Sequence, residues 1–463
     1  MLQKPEPTLL PDNLDSRAQS FAPDIDEIDE QMGHLTLSLG EDEESMDSSN
    51  NALSQLEELA SGLESVRETL TDCRGGADSM TLRLAKHAHQ SFAQRAKLDI
   101  NDYSVESIGG SISRDAATKL ALESITDTIK KAYQRFVAFL TRLWDAFMNF
   151  MGRIFEFFRS TSKRLAKLKA KALQLKAANA QSSVEELKLP SRLHYAFQVK
   201  NRHIDPVTLV KDGEYIDRIE KFSEAYVKYT RTVLAEMSEY LKNTPSWRAG
   251  ELPAKLRALL NPEQLVLSSF KGDTERTTGR ISSHMDIPGN KVVTVSALLG
   301  YQVATDRDLY KLLNSLKVVV RPYDVAGKPQ ETIPQLTLDH VVEICDQAIR
   351  ALAAVDRHQS EVRQLNGERS KILRSAAILI ESDRGNVDLN PSLKNNILIA
   401  ISRYVRGTLA TSATWMNLQR KIIMNVGDVA FIATRQYGKL EGEQSSDNTN
   451  PFTVTVQSQL KLT

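Results

Sequence analysis

The stretch from Ile125 to Leu175 most constrains what this chain can fold into. Its apolar residues recur every three or four positions, which is the spacing of an α-helix that buries one face. A charged residue arrives every turn or two, which excludes a transmembrane span of roughly 20 nearly uncharged residues. The sequence therefore predicts a long amphipathic helix whose apolar face must be covered. That face comprises Ile125, Ile129, Ala132, Phe136, Phe139, Leu140, Leu143, Phe147, Phe150, Met151, Ile154 and Phe158.

The apolar face is rich in aromatic residues, because seven of the 14 phenylalanines lie between Tyr133 and Phe158. Two interpretations stay open: an interior helix of an all-α domain, or a contact surface for a partner, a membrane or nucleic acid. We expect the face to pack against residues 51–98 or against other copies of the chain. The predicted association face is Phe136, Leu143, Phe147, Phe150, Ile154 and Phe158.

The carboxyl-terminal end of this helix is strongly basic. Beyond Phe158, a run of basic residues follows with no acidic residue between them. Such a run is either a solvated helix end or a surface that contacts phosphate groups. The candidate phosphate contacts are Arg159, Lys163, Arg164, Lys167, Lys169 and Lys171.

The formal net charge of zero conceals a strong asymmetry along the chain. Residues 1–80 contain 19 Asp and Glu against four Lys and Arg, a net charge of −15. Residues 131–180 contain 11 basic and two acidic residues, a net charge of +9, and residues 181–463 contain 37 and 32, a net charge of +5. We hypothesise that the acidic head screens the basic helix. Its removal should then raise the affinity of the chain for polyanions.

Composition shifts and helical periodicity divide the chain into seven segments and predict a mainly α fold with a small β-element (α+β). Gly75 and Gly76 should interrupt the second segment. The segments are an acidic disordered leader (1–50), a helical propeptide-like region (51–106), the long aromatic amphipathic helix with its basic end (107–176), a linker (177–190), a mixed α/β body (191–335), a long helical hairpin (336–438) and a tail (439–463) that adds an edge strand or hangs free.

The carboxyl-terminal half combines helices with short strands. A helix is predicted from Glu214 to about Lys242, two strands around Pro288-Gly289-Asn290, a helix over 306–316 and a third strand over 317–321. Two long helices follow, over 338–381 and from Asn390-Pro391 to Tyr437, and they should form an antiparallel αα-hairpin.

No constellation of residues predicts catalysis, a metal site or a cofactor. The sequence lacks HExxH, paired-cysteine metal spacing, G-x-x-x-x-G-K-[ST] and G-x-S-x-G. Cys345 lies on the apolar face of a predicted helix, which favours a buried structural thiol over a nucleophile. The chain is therefore expected not to be an enzyme.

The order of these features resembles the internal head, or inner-body, protein family of phiKZ-like giant phages. The resemblance lies in the acidic leader, the helix IKKAYQRFVAFLTRLWDAFMNFMGRIFEFF, the basic segment and a mixed body containing DIPGNKVV. It covers most of residues 110–437. It implies an abundant, non-enzymatic protein inside the virion head, whose amino-terminal propeptide is removed by a head-maturation protease that cuts after Glu in a small-x-Glu motif.

Three segments fit that motif. Ser104-Val105-Glu106 precedes the central helix and Ser183-Val184-Glu185 follows the basic segment, both in predicted loops. Ala121-Leu122-Glu123 also fits, but it should lie in a helix, where a protease cannot read it. The cleavage candidates are therefore Ser104 with Glu106 and Ser183 with Glu185.

The resemblance implies a structural phage protein that is made as a precursor in the host cytoplasm, assembled into the procapsid core, trimmed and packaged with DNA. Its partners would be other head and core proteins, the maturation protease, further copies of itself and DNA, through non-specific phosphate contacts. The alternative is a membrane-surface protein whose aromatic helix lies on a bilayer, with its basic end on anionic headgroups. Two further interpretations are a processing enzyme and a host cytoplasmic helical scaffold.

Overall fold

A computed structural model describes residues 24–73, 75–98, 113–211, 214–243, 266, 274–298, 316–323, 327–381 and 391–437. The first half is helical: α1 spans Asp24–Thr71, α2 spans Ser79–Arg95 and α3 spans Arg114–Ala177. Polar side chains cap α2 and α3 at their amino ends. The carboxylate of Asp78 accepts a hydrogen bond from Thr81 N at 2.6 Å, and Ser113 Oγ accepts one from Ala116 N at 3.2 Å.

The predicted break at Gly75 and Gly76 is confirmed as the turn between α1 and α2. Both glycines have positive φ, +81° and +92°, a region that disfavours residues with a Cβ. A Cβ on Gly76 would also lie 2.6 Å from the backbone carbonyl carbon of Arg114, whereas a Cβ on Gly75 would meet nothing within 4 Å. The turn therefore needs glycine at position 76 for two reasons, conformation and close packing.

The acidic leader is the main disagreement with the sequence-based prediction. Disorder was predicted for residues 1–50, but residues 24–50 form the first half of the continuous helix α1. The prediction fails there because these residues share one face with the rest of α1, at alternating spacings of four and three. Residues 1–23 lie outside the described residues. The face consists of Ile28, Met32, Leu35, Leu39, Asp42, Met46, Ser49, Leu53, Leu56, Ala60, Leu63, Arg67 and Leu70, all buried or partly buried.

The second half contains α4 (Pro206–Lys211), α5 (Glu214–Asn243), α6 (Leu338–Glu381) and α7 (Pro391–Arg435). The helix predicted from Glu214 and both long helices of the hairpin are confirmed. Tyr437 Oη donates a hydrogen bond to Leu336 O at 2.8 Å, and Gln335 Nε2 donates one to Ala433 O at 3.0 Å. The end of α7 therefore lies beside the start of α6, as an antiparallel hairpin requires.

The β-element is a four-stranded antiparallel sheet in the order β4 (Thr274–Thr277), β5 (Arg280–Ile287), β6 (Lys291–Leu298) and β7 (Lys317–Pro322). It confirms the predicted hairpin, since Ile287 pairs with Lys291 across a turn in which Gly289 and Asn290 have positive φ. The third predicted strand is β7. The predicted helix over 306–316 and the tail lie outside the described residues, except Leu316.

Two small sheets join distant parts of the chain. Strand β1 (Glu186–Lys188) pairs with β8 (Thr332–Pro334), and β2 (Gln198–Val199) pairs with β3 (Arg202–His203). Because β1 lies within residues 177–190, the prediction of a plain linker is wrong for its last part. A strand of three residues leaves too short a pattern for periodicity to show it.

One contiguous core runs through the helices and the larger sheet. Helix α3 lies at its centre and packs against α1, α6 and α7. Helix α5 joins the hairpin on another side, where the rings of Phe222 and Trp415 have centroids 4.7 Å apart. The acidic leader, the aromatic helix and the hairpin are therefore layers of one folded body.

Candidate functional site

The aromatic face of α3 is covered within the chain. All six residues of the predicted association face are at most 3% exposed, and Phe147, Phe150 and Ile154 are fully buried. The face was expected to pack against residues 51–98 or against other copies; it packs against α1, which contains residues 51–71 of that range, and also against α6 and α7, which the prediction did not include. The face therefore does not lie between copies in this structure, since α1, α6 and α7 already cover α3.

Ion pairs between α1 and α3 show how the two helices are oriented relative to each other. Arg153 NH1 lies 3.0 Å from Asp42 Oδ2 and donates a hydrogen bond to Ser38 O at 2.7 Å. Arg164, further along α3, pairs with Asp29, which lies earlier on α1. Helix α1 therefore runs antiparallel to α3, and the acidic leader lies directly against the basic helix.

Arg164 is the centre of a buried ionic cluster. Its Nε lies 2.7 Å from Asp29 Oδ1, and its NH1 donates a hydrogen bond to Asp428 Oδ1 at 3.1 Å. Asp428 Oδ2 accepts a further hydrogen bond from Arg192 at 2.9 Å. The side chains of Asp29, Arg164 and Asp428 are at most 9% exposed. The cluster joins α1, α3, α7 and the short 3-10 helix Ser191–Leu193.

Glu57 is the centre of a second cluster, between α1 and α7. Its carboxylate accepts hydrogen bonds from Arg403 Nε and Arg406 NH2, both at 2.7 Å, and from Ser402 Oγ at 3.2 Å. Arg406 NH1 also donates to Ser54 Oγ at 2.6 Å. The Glu57 side chain is only 2% exposed, so two guanidinium groups compensate its desolvation.

Glu64 is a buried carboxyl group with weaker compensation. Its side chain is 9% exposed, and Arg67, one turn later on α1, lies 2.7 Å away. Burial raises its pKa to about 7, because desolvation outweighs the attraction of Arg67 and because Glu68 adds repulsion. This carboxyl group therefore holds its proton to a higher pH than an exposed glutamate does.

The six candidate phosphate contacts have different surroundings. Arg159, Lys163 and Lys171 are exposed, and Lys167 is half-buried. Lys169 donates a hydrogen bond to Asp346 of α6 at 2.6 Å, so part of its charge is balanced within the chain. Arg164 is 8% exposed and pairs with two carboxylates. Its prediction as a phosphate contact is therefore wrong, because a buried and paired guanidinium cannot reach a phosphate group.

The cleavage candidates also differ. Ser104 and Glu106 lie outside the described residues. Ser183, Val184 and Glu185 are all exposed and lie between α3 and β1. Their backbone is nevertheless anchored, because Ser183 N donates to Gln436 O and Gln335 N donates to Glu185 O, both at 2.9 Å.

The third match to the cleavage motif lies in a helix, as predicted. Ala121, Leu122 and Glu123 are part of α3, and Ala121 is fully buried. A protease would have to unfold the helix to bind this segment in extended form.

Sequence reasoning missed the groups that hold α1 in place. These are Arg403 and Arg406 on α7, and Asp29, Asp42 and Glu57 on α1. The alternating spacing of apolar residues through Ile28, Met32, Leu35, Leu39 and Met46 would have predicted that the leader is a packed helix. No local pattern would have predicted which carboxylate meets which arginine.

Cys345 is fully buried on α6, as the structural-thiol interpretation predicted. Burial raises the pKa of its thiol to about 12, with a smaller contribution from Asp346. Within the described ranges, no group of three or more acidic, His or Cys side chains is placed to hold a metal ion. No helix among them combines the length and the apolar character that crossing a bilayer requires.

Comparison with known families identifies the chain at the level of family. A family model for phiKZ-like phage internal head proteins matches residues 20–430, from the acidic helix α1 nearly to the end of α7. No curated protein and no solved structure matches the chain. Because the match spans well over half of the sequence, the chain belongs to the phiKZ-like phage internal head proteins and is a structural protein that lies inside the phage head among other head components.

Proposed function

We propose that the protein is made as a precursor, assembled into the procapsid core, trimmed by the head-maturation protease and enclosed with the DNA. One observation carries the trimming step: Ser183-Val184-Glu185 matches the small-x-Glu motif, lies outside every helix and exposes all three side chains. Cleavage there needs only local opening, since the adjoining β1–β8 pair has three residues on each strand. Glu106 is the second proposed cleavage position, at the boundary between residues 51–106 and 107–176.

The expected consequence of trimming is a change in charge once the separated acidic segment has left the protein. Residues 1–80 contribute a net charge of −15, so a cut at either position separates most of the acidic charge from the carboxyl-terminal part. A more positive product suits enclosure with a polyanion.

Mass spectrometry of semi-specific peptides from purified virions tests the trimming. New amino termini at Ser107 or Glu186 would support the proposal. A protein that retains Met1 in every copy would overturn trimming and leave the structural role intact.

For DNA, we propose non-specific phosphate contacts by the exposed part of the basic segment. Arg159, Lys163 and Lys171 lie at the surface of α3, with Lys167 beside them. The contacts would follow the phosphate backbone, because no base-reading module is recognisable in the sequence.

Binding of the full-length chain to duplex DNA at two salt concentrations tests this surface. The double variant Lys163→Glu/Lys171→Glu should bind more weakly and with a smaller salt dependence. Lys228→Glu/Lys421→Glu is the matched control, since both lysines are exposed and lie on other helices. Equal losses of DNA affinity in the two double variants would show that the basic segment contributes no more than other exposed lysines.

The membrane-surface alternative has lost its main support. It required the aromatic face of α3 to meet a bilayer, and that face is covered by the chain's own helices. Co-sedimentation of the full-length protein with anionic liposomes would revive it.

A further inference from the structure

We propose that residues 24–98, comprising α1 and α2, form a separable acidic unit that stays bound to α3 and α7 after the chain is cut between α2 and α3. The groove that α3 and α7 present to α1 is thus a binding site for an acidic amphipathic helix. The inference deepens the proposed trimming at Glu106, because it states what becomes of the segment that such a cut would separate.

The first support is apolar packing along the whole of α1. This helix has 48 residues and a length of about 70 Å. Met32 near its start, Leu53 in its middle and Leu70 at its end are each at most 1% exposed. A cut in the connection after α2 removes none of these contacts, and water would have to enter the full length of the interface before α1 could leave.

The second support is the attachment of α2. Phe92 of α2 packs over Gly62 of α1, so closely that a Cβ at position 62 would lie 2.4 Å from its ring. The ring nitrogen Nε2 of His89 lies 2.7 Å from Thr128 Oγ1 in a buried contact with α3. Helices α1 and α2 are therefore packed on each other and are both fixed to α3.

The third support is the distribution of charge across the interface. On the receiving side the charged groups that meet α1 include Arg153 and Arg164 of α3, and Arg403 and Arg406 of α7. Their partners on α1 are the carboxylates of Asp42, Asp29 and Glu57. These contacts are spread along the helix, so they fix its register as well as its direction.

Loss of α1 would remove carboxylates that pair with buried guanidinium groups, since Arg406 would lose Glu57 and Arg164 would lose Asp29 and keep only Asp428. Arg406 is 11% exposed and Arg164 is 8% exposed, so neither is fully solvated in the folded chain. Departure of α1 would also uncover the aromatic face of α3, including Phe147 and Phe150. Both effects favour the bound state after the covalent connection is gone.

The consequence is that one cut at Glu106 nicks the protein and leaves its surface unchanged. The acidic charge of α1 would leave only through a second event, such as unfolding of the nicked unit or its further digestion. The trimmed protein would then consist of two polypeptides that migrate as one particle under native conditions.

The test uses the full-length chain with the recognition sequence of a site-specific protease inserted after Glu106. After complete cleavage, size-exclusion chromatography and native mass spectrometry should show one species with the mass of both fragments. In guanidinium chloride the two fragments should separate. A fragment of residues 1–106 that elutes alone under native conditions would overturn the proposal.

Two variants of the same chain test the charged contacts. Glu57→Gln removes the charge that faces Arg403 and Arg406, so we expect the cut fragment to dissociate at least tenfold faster. Glu58→Gln is the matched control, because Glu58 directly follows Glu57 on α1 and its side chain is exposed. Circular dichroism of each uncut variant establishes that it is folded, and equal dissociation rates for the two variants would contradict the charged contacts.

The two experiments distinguish a failure of the proposed retention from a failure of the proposed trimming. The inserted site is cut by an added protease, so retention is measured whether or not the phage protease acts on Glu106. Virion termini decide the trimming, and the elution of the cut chain decides the retention.

Discussion

Arg164 Nε lies 2.7 Å from Asp29 Oδ1 in the interior of the protein. This buried ion pair joins α3 to the start of α1, a segment whose composition had predicted disorder. Asp428 approaches the same guanidinium from α7. The pair therefore connects the acidic and basic segments whose opposite charges were evident from the sequence alone.

Replacement of Asp29 by alanine should destabilise the protein by about 3 kcal/mol, because it leaves a buried guanidinium with one carboxylate in place of two. Chemical unfolding measures the change. The control is Asp115→Ala, because Asp115 and Lys119 form an ion pair whose side chains are 61% and 71% exposed, so its loss should change the stability far less. Similar losses for both variants would mean that the Arg164 cluster does not stabilise the fold.

Glu64 should make stability depend on pH in a defined direction. Its pKa is raised from 4.5 in the unfolded chain to about 7 in the folded protein, so the folded state binds more protons between these values. The contribution of this group to stability is therefore fully present below pH 4.5 and is lost as the pH rises through 7.

The variant Glu64→Gln isolates this contribution. It should gain up to about 3 kcal/mol relative to the wild-type chain on going from pH 4.5 to pH 8, because its amide does not titrate. Unfolding curves of both proteins across this range provide the measurement. A difference between the two proteins that does not change with pH would refute the assignment.

The two glycines of the α1–α2 turn should respond differently to alanine. Gly75→Ala places a Cβ at positive φ in open space and should cost about 1 kcal/mol. Gly76→Ala carries the same conformational cost and also drives its Cβ against the backbone at Arg114, so it should cost clearly more. Thermal unfolding ranks the two, and an equal loss would show that the close approach is relieved without cost.

The two cysteines should differ in their reactivity toward a thiol reagent. Cys73 is partly exposed, whereas Cys345 is fully buried and its thiol pKa is raised to about 12. One thiol per chain should therefore react quickly in the native protein, and the second only after unfolding. Rapid labelling of Cys345 in the variant Cys73→Ser would contradict its burial.

Sequence patterns predicted those parts of the fold that depend on local information. The start of α7 at Pro391, the turn at Gly289 and the break at Gly76 each involve proline or glycine, whose backbone conformations differ from those of other residues. The leader was mispredicted because many acidic and serine residues outweighed its apolar ones in composition, although Ile28, Met32 and Leu39 have regular spacing.

The candidate site was less predictable than the fold. The aromatic face was correctly expected to be covered, but periodicity along one helix does not reveal which helix covers it. Arg164 looked like its neighbours in the basic run, and only the approach of Asp29 and Asp428 from distant segments distinguishes it. Long-range pairing of charges leaves no trace in a local window.

The length of α3 has a consequence for how copies of the protein can be arranged. Its 64 residues form one helix of about 95 Å. A thin rod of that length has a radius of gyration of about 27 Å, whereas a compact domain of 463 residues has one of about 23 Å. Elongated subunits at high concentration exclude less volume from one another when their long axes are parallel. The elongation that α3 imposes on the subunit would therefore favour parallel alignment of copies at high concentration, before any specific contact between them is considered.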